Sequence, residues 1–90
     1  MLTNFKTENF HLSFLPAVLR ESDKEWYIEY YAEHPTSGEM KRFKVRMNRA
    51  IKRYSKKSEA RKYCLDIVSR LNSRLMDGWS PFFESEDARL

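Results

Sequence analysis

Two neighbouring segments, 25–33 and 39–48, alternate between apolar and polar residues, and this period of two restricts the fold more than any other feature. Successive side chains of a β-strand point to opposite faces, so each segment predicts a strand with one apolar face. The Trp, Tyr and Ile residues of the first segment favour strands. Between the segments, Pro35 and Gly38 suit a tight turn. The pattern predicts an antiparallel hairpin.

A third strand is predicted before the hairpin and a helix after it. Residues 16–22 alternate in the same way, and the turn residues 22–24 connect them to the hairpin. Within 56–77, apolar residues recur at steps of three and four, as on one side of an amphipathic helix. Ser55 is the predicted N-cap of this helix, and Gly78 is the residue that ends it.

The predicted fold class is α+β, with a three-stranded antiparallel β-sheet packed on one long C-terminal α-helix. One long helix can cover one face of such a sheet and leave the other face to solvent. The connector 48–54 is expected to point Ile51 inward, and the segment 79–83 is expected to fold back on the seam between sheet and helix. The side chains predicted to face the interior are Ala17, Leu19, Trp26, Ile28, Tyr30, Ala32, Phe43, Val45, Met47, Ala60, Tyr63, Cys64, Ile67, Val68, Leu71 and Leu75.

The 90 residues predict one small domain with a short segment on either side. We expect 1–15 to be an N-terminal arm or extra extended segment, 16–83 to be the folded domain, and 84–90 to begin a linker. The single Cys64 excludes an internal disulfide bond and suits a reducing cytoplasm. No apolar run approaches the roughly 18 residues of a membrane span, so we expect a cytoplasmic chain with no membrane partner.

Positive charge is concentrated in one part of the chain. Residues 39–63 contain eleven Lys and Arg against two acids, Glu39 and Glu59, which gives this segment a net charge of +9. The whole chain carries only +4, so the remaining residues sum to −5. Such local basicity indicates a polyanionic partner.

The third predicted strand places a row of cations on the face away from the helix. The row consists of Arg42, Lys44 and Arg46, which follow one another about 7 Å apart. Like charges at this spacing repel one another, and a bound anion relieves the repulsion. In a DNA major groove, the two arginines are suited to guanine edges and the lysine to a base or a phosphate. Alternatively, the row is an ordinary solvated face paired with Glu29 and Glu25, although these acids are too few to neutralise it.

Further residues complete the predicted interface. Tyr27 and Tyr31 are suited to stack on sugars, donate to phosphates or touch thymine methyl groups, and Glu29 to accept from a cytosine amine or to orient an arginine. Cations of the connector and helix start suit phosphate contacts beside free helix N–H groups, with a merely soluble loop as the alternative. The predicted DNA-binding residues are Arg20, Tyr27, Tyr31, Arg42, Lys44, Arg46, Arg49, Lys52, Arg53, Lys56 and Lys57.

The remaining polar residues predict no catalysis. His11 and His34 lie in different segments without ligands at metal-binding spacing, and Cys64 falls on the apolar side of the helix. There is no glycine-rich phosphate loop and no nucleophile elbow. We therefore predict no catalytic residue, no metal, no cofactor and no enzyme activity for this chain. The cations expected to be only solvated are Arg61, Lys62, Arg70 and Arg74.

Five motifs occur in order between residues 16 and 83: W-Y-I-E-Y-Y, P-x-S-G, R-F-K-V-R-M-N, E-A-R-K-Y and G-W-x-P-F. Their order and spacing resemble the N-terminal arm-type DNA-binding domain of tyrosine recombinases, the integrases of phages and conjugative transposons. Versions from Bacteroides-like bacteria are the most similar. The resemblance implies a three-stranded sheet on a helix, with the sheet inserted in the major groove of arm-type DNA sites.

The resemblance also implies partners and a place within a larger protein. The sheet positions that match the DNA-facing surface are Arg20, Tyr27, Tyr31, Arg42, Lys44 and Arg46. A core-binding domain and a catalytic domain follow in that family, so this chain is expected to be a fragment of an integrase. Double-stranded DNA and the other integrase domains are the implied partners, and the isolated domain is expected to be a bacterial cytoplasmic monomer.

Two other functions remain open from the sequence. An RNA-binding module has a basic sheet too, with exposed aromatic residues for base stacking, and Tyr27 and Tyr31 suit that role. A protein–protein docking domain is the second alternative, although its exposed face is expected to be less cationic.

Overall fold

A computed structural model of the chain describes residues 13–83, in which three strands are followed by a short helix and a long helix. The strands form one antiparallel sheet in the order β1-β2-β3. The long helix packs on one face of this sheet, so the predicted α+β fold is confirmed. The elements are β1 (Phe14–Glu21), β2 (Trp26–Glu33), β3 (Met40–Arg46), α1 (Asn48–Ile51) and α2 (Lys57–Met76).

Both predicted turns connect neighbouring strands. In the first, the Ser22 N–H donates to the Glu25 carbonyl at 3.0 Å. In the second, the Gly38 N–H donates to the His34 carbonyl at 2.9 Å, and Gly38 has a φ of 77°. Glycine adopts this left-handed conformation without a steric penalty. β1 begins at Phe14, two residues before the predicted start, and residues 1–12 and 84–90 of the predicted flanking segments lie outside the described residues.

The hydrophobic core lies between the sheet and α2. Every second side chain of β2 is buried, as the period of two predicts, and Ile28 is fully buried. Cys64 of α2 is also fully buried, in agreement with its predicted place in the core. Burial of a side chain the size of Ile stabilises the fold by roughly 1.5–3 kcal/mol. All the helix residues predicted to face inward belong to this core or pack against it.

Phe43, on the inner side of β3, is covered by the segment after α2. Phe43 stacks on Tyr30 with ring centroids 5.2 Å apart, and Phe82 meets Phe43 edge-on at 5.4 Å. The predicted fold-back is therefore confirmed for Phe82 and also for Trp79, which packs against the core. Phe83 also lies at this seam, near Phe14, Ala32 and Leu75, with 52% of its surface exposed.

Val45 corrects the predicted interior, because it points to the inner side yet is 40% exposed. The reason is the position of α2, which lies closest to β1 and leaves the far side of the sheet less covered. A period of two predicts which face a residue is on, but it does not predict how far the helix extends over that face.

A side chain of α2 completes the hydrogen bonding of β1. The ladder between β1 and β2 is irregular between Leu15 and Val18. At this point the Ala17 N–H donates to Oδ1 of Asn72 at 2.6 Å, and Nδ2 of Asn72 donates to the Ala17 carbonyl at 3.2 Å. The amide of Asn72 thus satisfies both backbone groups of Ala17 and fixes α2 against the edge of the sheet.

The connector between β3 and α2 is more ordered than predicted. It contains the short helix α1, and Ile51 packs against the core as expected. The side chain of Asn48 accepts from the Trp26 N–H at 2.7 Å and donates to the Lys24 carbonyl at 3.2 Å. This contact holds the connector beside the turn between β1 and β2.

The two ends of α2 differ in how well they were predicted. Lys56, not Ser55, occupies the N-cap position, and no side chain caps the helix there. At the other end, Gly78 has a φ of 101°. The Trp79 N–H donates to the Arg74 carbonyl at 2.9 Å and the Gly78 N–H to the Leu75 carbonyl at 3.2 Å, which is the Schellman arrangement. The predicted helix end is confirmed.

Candidate nucleic-acid interface

The face of the sheet opposite α2, called here the outer face, contains most of the predicted site. Its residues alternate along each strand with those that face the core, and they lie opposite one another across the strands. Arg46 pairs with Tyr27, Lys44 with Glu29, and Arg42 with Tyr31. The outer face consists of Leu15, Val18, Arg20, Tyr27, Glu29, Tyr31, Glu33, Met40, Arg42, Lys44 and Arg46.

Glu29 lies at the centre of the outer face and holds two arginines. Arg20 donates from Nε to Oε1 of Glu29 at 3.2 Å, and Arg42 donates from Nε to Oε2. The Glu29 side chain is only 12% exposed, whereas those of Arg20 and Arg42 are 57% and 47% exposed. Because both contacts use Nε, Glu29 leaves the terminal Nη groups of both guanidinium groups available to a ligand.

The protonation of this cluster is well defined at neutral pH. The hydrogen bond from Arg42 lowers the pKa of Glu29, burial opposes this in part, and the hydrogen bond from Arg20 lowers it further. The same contact raises the pKa of Arg42. Glu29 is therefore a carboxylate at neutral pH and acts only as an acceptor. Of the two predicted roles for Glu29, its contacts are those of a residue that orients arginines.

Lys44 is held by different partners. Its Nζ lies 2.8 Å from Oε2 of Glu25 and 4.5 Å from the centre of the Tyr27 ring. The hydrogen bond from Lys44 lowers the pKa of Glu25. Arg42 also approaches the Tyr27 ring, at 5.8 Å, so cations occupy the surroundings of this half-buried aromatic side chain.

The expectation that acids are too few to neutralise the β3 row agrees with these contacts, because Glu29 is shared by Arg20 and Arg42. Arg42 and Lys44 are each paired with a carboxylate from β2 or the turn before it, as the solvated-face alternative anticipates. Arg46 forms no ion pair with any residue in 13–83. The row thus contains two cations of fixed position and one that is unpaired. We call Arg20, Arg42 and Lys44 the anchored cations.

The connector and the start of α2 extend the basic surface beyond the end of β3. All five predicted cations of this region are exposed, and within the described part of the chain none of them forms an ion pair. They follow Arg46 directly in the chain, so they continue the charge of the sheet at that end. With Arg46 they form the unpaired cations: Arg46, Arg49, Lys52, Arg53, Lys56 and Lys57.

Two ordered arginines were missed by sequence reasoning. Arg61 was expected to be solvated, but its Nε and Nη2 donate to the two carboxylate oxygens of Glu21 at 2.6 and 2.8 Å. The Arg61 guanidinium also lies 5.7 Å from the Trp26 ring. Arg74, likewise expected to be solvated, lies over the Trp79 ring at 4.6 Å. The Glu21–Arg61 contact joins residues 40 positions apart in the chain, and no periodic pattern of the sequence predicts a contact at that separation.

Other kinds of site have little support among residues 13–83. No group of three His, Cys, Asp or Glu side chains there is arranged to hold a metal ion. Burial raises the pKa of the Cys64 thiol, which disfavours the reactive thiolate. None of the helices in this range combines the length and apolar character needed to cross a bilayer.

Comparisons of the chain with family models, curated proteins and solved structures gave the same result. No family model matches it, and neither does any curated protein or any solved structure.

Proposed function

We propose that this chain is a double-stranded DNA-binding module whose outer face enters the major groove. The observation that carries the proposal is an open sheet face on which Glu29 holds the guanidinium groups of Arg20 and Arg42 in fixed positions, beside a surface of unpaired cations. Arginines held by a carboxylate present donors that match base edges and phosphates, and unpaired cations supply attraction to the backbone. Both are needed for sequence-specific binding.

The dimensions of the sheet support this mode of binding. Neighbouring strands are about 4.8 Å apart, so the three strands span about 10 Å from first to last. The major groove is about 12 Å wide, and strands are known to enter it. The helix lies on the opposite face of the sheet, so it does not obstruct a duplex that approaches the outer face.

The position of the unpaired cations also suits a duplex. Five of them lie in the connector and at the start of α2, beyond the end of β3. If the sheet enters the groove, this region meets the phosphates at its border. Lysines at a helix N-terminus are unfavourable for the helix dipole, and a nearby phosphate compensates for that.

The resemblance of the motifs to arm-type domains of tyrosine recombinases supports the proposal that this activity belongs to an integrase of a mobile element in a bacterial cytoplasm. There the module binds arm-type DNA sites while other domains of the same protein bind and cut the crossover site. Tethering raises the effective concentration of the module near its site, so weak binding suffices. For the isolated chain we expect a Kd in the micromolar range or weaker.

RNA binding by base stacking is less well supported than duplex binding. A stacking platform needs an aromatic ring whose face is accessible to a base. Lys44 lies over the Tyr27 ring, and Tyr31 is half-buried between Leu15 and Arg42 in the register of the sheet. Competition between duplex DNA and single-stranded RNA for the chain separates the two functions.

A salt titration of duplex binding tests the proposal. If about five or six phosphates are contacted, log K falls with log salt at a slope of roughly −4 to −6. The variant Arg42→Ala/Arg46→Ala should bind more weakly than the control Lys62→Ala/Arg70→Ala, which removes the same charge from the helix. A slope near zero, or equal loss in both variants, would contradict the proposal.

A protein-docking function predicts that binding depends less on salt and on the cations of the outer face. Binding of a protein partner by the outer face need not depend on salt in this way, and it should survive the loss of two cations better than DNA binding does. The absence of duplex binding by the wild-type chain at 50 mM salt would favour this alternative.

A further inference from the structure

We propose that Arg20 and Arg42 act as one unit, positioned by Glu29, that recognises two guanines within about three base-pair steps of each other. This inference rests on the proposed function, because it specifies which feature of the duplex the outer face binds. Glu29 is the positioning residue in this unit, and the two arginines make the contacts with the bases.

The register of the sheet explains how one carboxylate reaches both arginines. Arg20 on β1 lies opposite Tyr27, and Arg42 on β3 lies opposite Tyr31. The two arginines are therefore on the outer strands, displaced in opposite directions from Glu29 on the central strand. Their side chains converge on Glu29, so both guanidinium groups are drawn toward the middle of the outer face.

This central position favours bases over phosphates as the ligands. In a major groove, base edges form the floor and phosphates line the two borders. Cations near the middle of an inserted sheet face the floor, whereas cations on an outer strand or beyond its end face the borders. Arg46 has no carboxylate to draw it inward, so we assign it to a phosphate rather than to a guanine.

The donor pattern of the unit selects guanine. With Nε bound to Glu29, each arginine presents its Nη groups, which are donors only. Guanine offers two acceptors in the major groove, O6 and N7, whereas thymine offers one, O4, beside its methyl group, adenine places a donor beside its N7, and cytosine offers a donor. A guanidinium group therefore pairs with guanine without opposing a donor to a donor.

The shared carboxylate also limits the separation of the two guanines. Two hydrogen bonds of ordinary length on either side of one carboxylate keep the Nε atoms within roughly 8 Å of each other. The Nη groups extend slightly farther, to about 10 Å, which corresponds to about three base-pair steps at 3.4 Å each. A target with one isolated guanine would engage only half of the unit.

The test is selection of binding sites from a randomised duplex pool by the full chain. We expect enrichment of two guanines within three steps and a loss of about tenfold in affinity for each guanine replaced. Glu29→Gln should abolish this enrichment while binding to unselected duplex is retained or strengthened, since a negative charge is removed. Glu25→Gln removes the same charge beside Lys44, and it should keep the enrichment.

A second measurement leaves the protein unchanged and so does not depend on how the variant folds. Replacing the selected guanines by 7-deazaguanine removes N7 and keeps base pairing, and affinity should fall by about tenfold. Equal enrichment by wild type and Glu29→Gln, or equal affinity for the 7-deazaguanine duplex, overturns the inference. Duplex binding without any guanine preference overturns it while leaving the proposed function intact, and no duplex binding at all overturns both.

Discussion

The anchored cations and the unpaired cations are the same residue types in two different environments. On the sheet, carboxylates of β2 and its preceding turn hold Arg20, Arg42 and Lys44. In the connector and at the start of α2, the unpaired cations extend into solvent without such contacts. A side chain held by an ion pair has lost part of its conformational entropy before a ligand arrives, whereas one without such a partner loses it on binding.

The difference shows that a count of positive charge combines two distinct properties, the number of donors held in place and the number of cations without a partner. Fixed donors suit the recognition of particular bases, because their geometry discriminates between acceptor patterns. Mobile cations suit phosphates, because attraction to the backbone depends little on exact geometry and strongly on salt. The four predictions that follow separate or sharpen these two roles, from the largest expected effect to the smallest.

The largest effect is expected when three unpaired cations of the connector are removed together. Arg49→Ala/Lys52→Ala/Arg53→Ala should lower the affinity for every duplex by on the order of 10²-fold and reduce the salt slope by about 3. Fluorescence anisotropy at several salt concentrations measures both quantities. The control Lys41→Ala/Lys62→Ala/Arg70→Ala removes the same charge elsewhere. A loss confined to one DNA sequence would show that the connector has a role other than phosphate binding.

The second prediction concerns the scaffold that supports the anchored cations. Asn72→Ala leaves the N–H and the carbonyl of Ala17 without their partner, so we expect it to lower the free energy of unfolding by about 1–3 kcal/mol. Thermal unfolding should show a decrease in Tm, and the exposed neighbour substitution Ser73→Ala should change Tm little. An unchanged Tm for Asn72→Ala would mean that water or another side chain satisfies Ala17.

The third prediction compares two arginines of the same strand. Arg42→Ala should lower the affinity for a selected duplex by about tenfold and leave binding to unselected duplex nearly unchanged. Arg46→Ala should weaken binding to both duplexes by the same factor and reduce the salt slope by about 1. If the two variants behave alike, the contact with Glu29 does not distinguish these arginines.

The smallest effect is expected in the dependence of stability on pH. The pKa of Glu29 is lowered in the folded chain from its ordinary value of 4.5, chiefly by the hydrogen bond from Arg42. As pH falls below 4.5, Glu29 is protonated first in the unfolded chain. The stabilisation that ionised Glu29 provides at higher pH is therefore lost progressively as the pH approaches the lowered pKa of the folded chain. Urea denaturation between pH 7 and pH 3 should show this decline, and Glu29→Gln should make it shallower. An identical decline in both proteins would assign it to other carboxyl groups.

Local patterns predicted most of the fold. Strand faces, both turns, the apolar side of α2 and the helix end at Gly78 depend on spacing along the chain or on one residue with a special conformation. The contacts that place α2 on the sheet depend instead on residues far apart in sequence. Asn72 and Ala17 are 55 positions apart, and nothing in their neighbourhoods indicates that one amide satisfies both backbone groups.

In the candidate site, too, features that depend on one strand were predicted and features that depend on several strands were not. The period of two predicted that Arg42, Lys44 and Arg46 lie on the open face, because that depends on a single strand. The grouping of Arg20 and Arg42 around Glu29 depends on the register of three strands and on side-chain conformation. A count shows that the carboxylates are too few to neutralise the row, but it does not show that Glu29 is shared by two arginines.

The left-handed backbone at Gly78 has a consequence on the far side of the sheet. A methyl group at this position would meet open space, so alanine there is disfavoured by the backbone conformation alone, at a φ of 101°. The reversal at Gly78 sends Trp79 and Phe82 beneath β3, where Phe82 supports the ring of Phe43. The same strand carries Phe43 on one face and Arg42 on the other. If this aromatic layer were loosened, β3 would shift, and the distance between Arg42 and the Glu29 carboxylate would change.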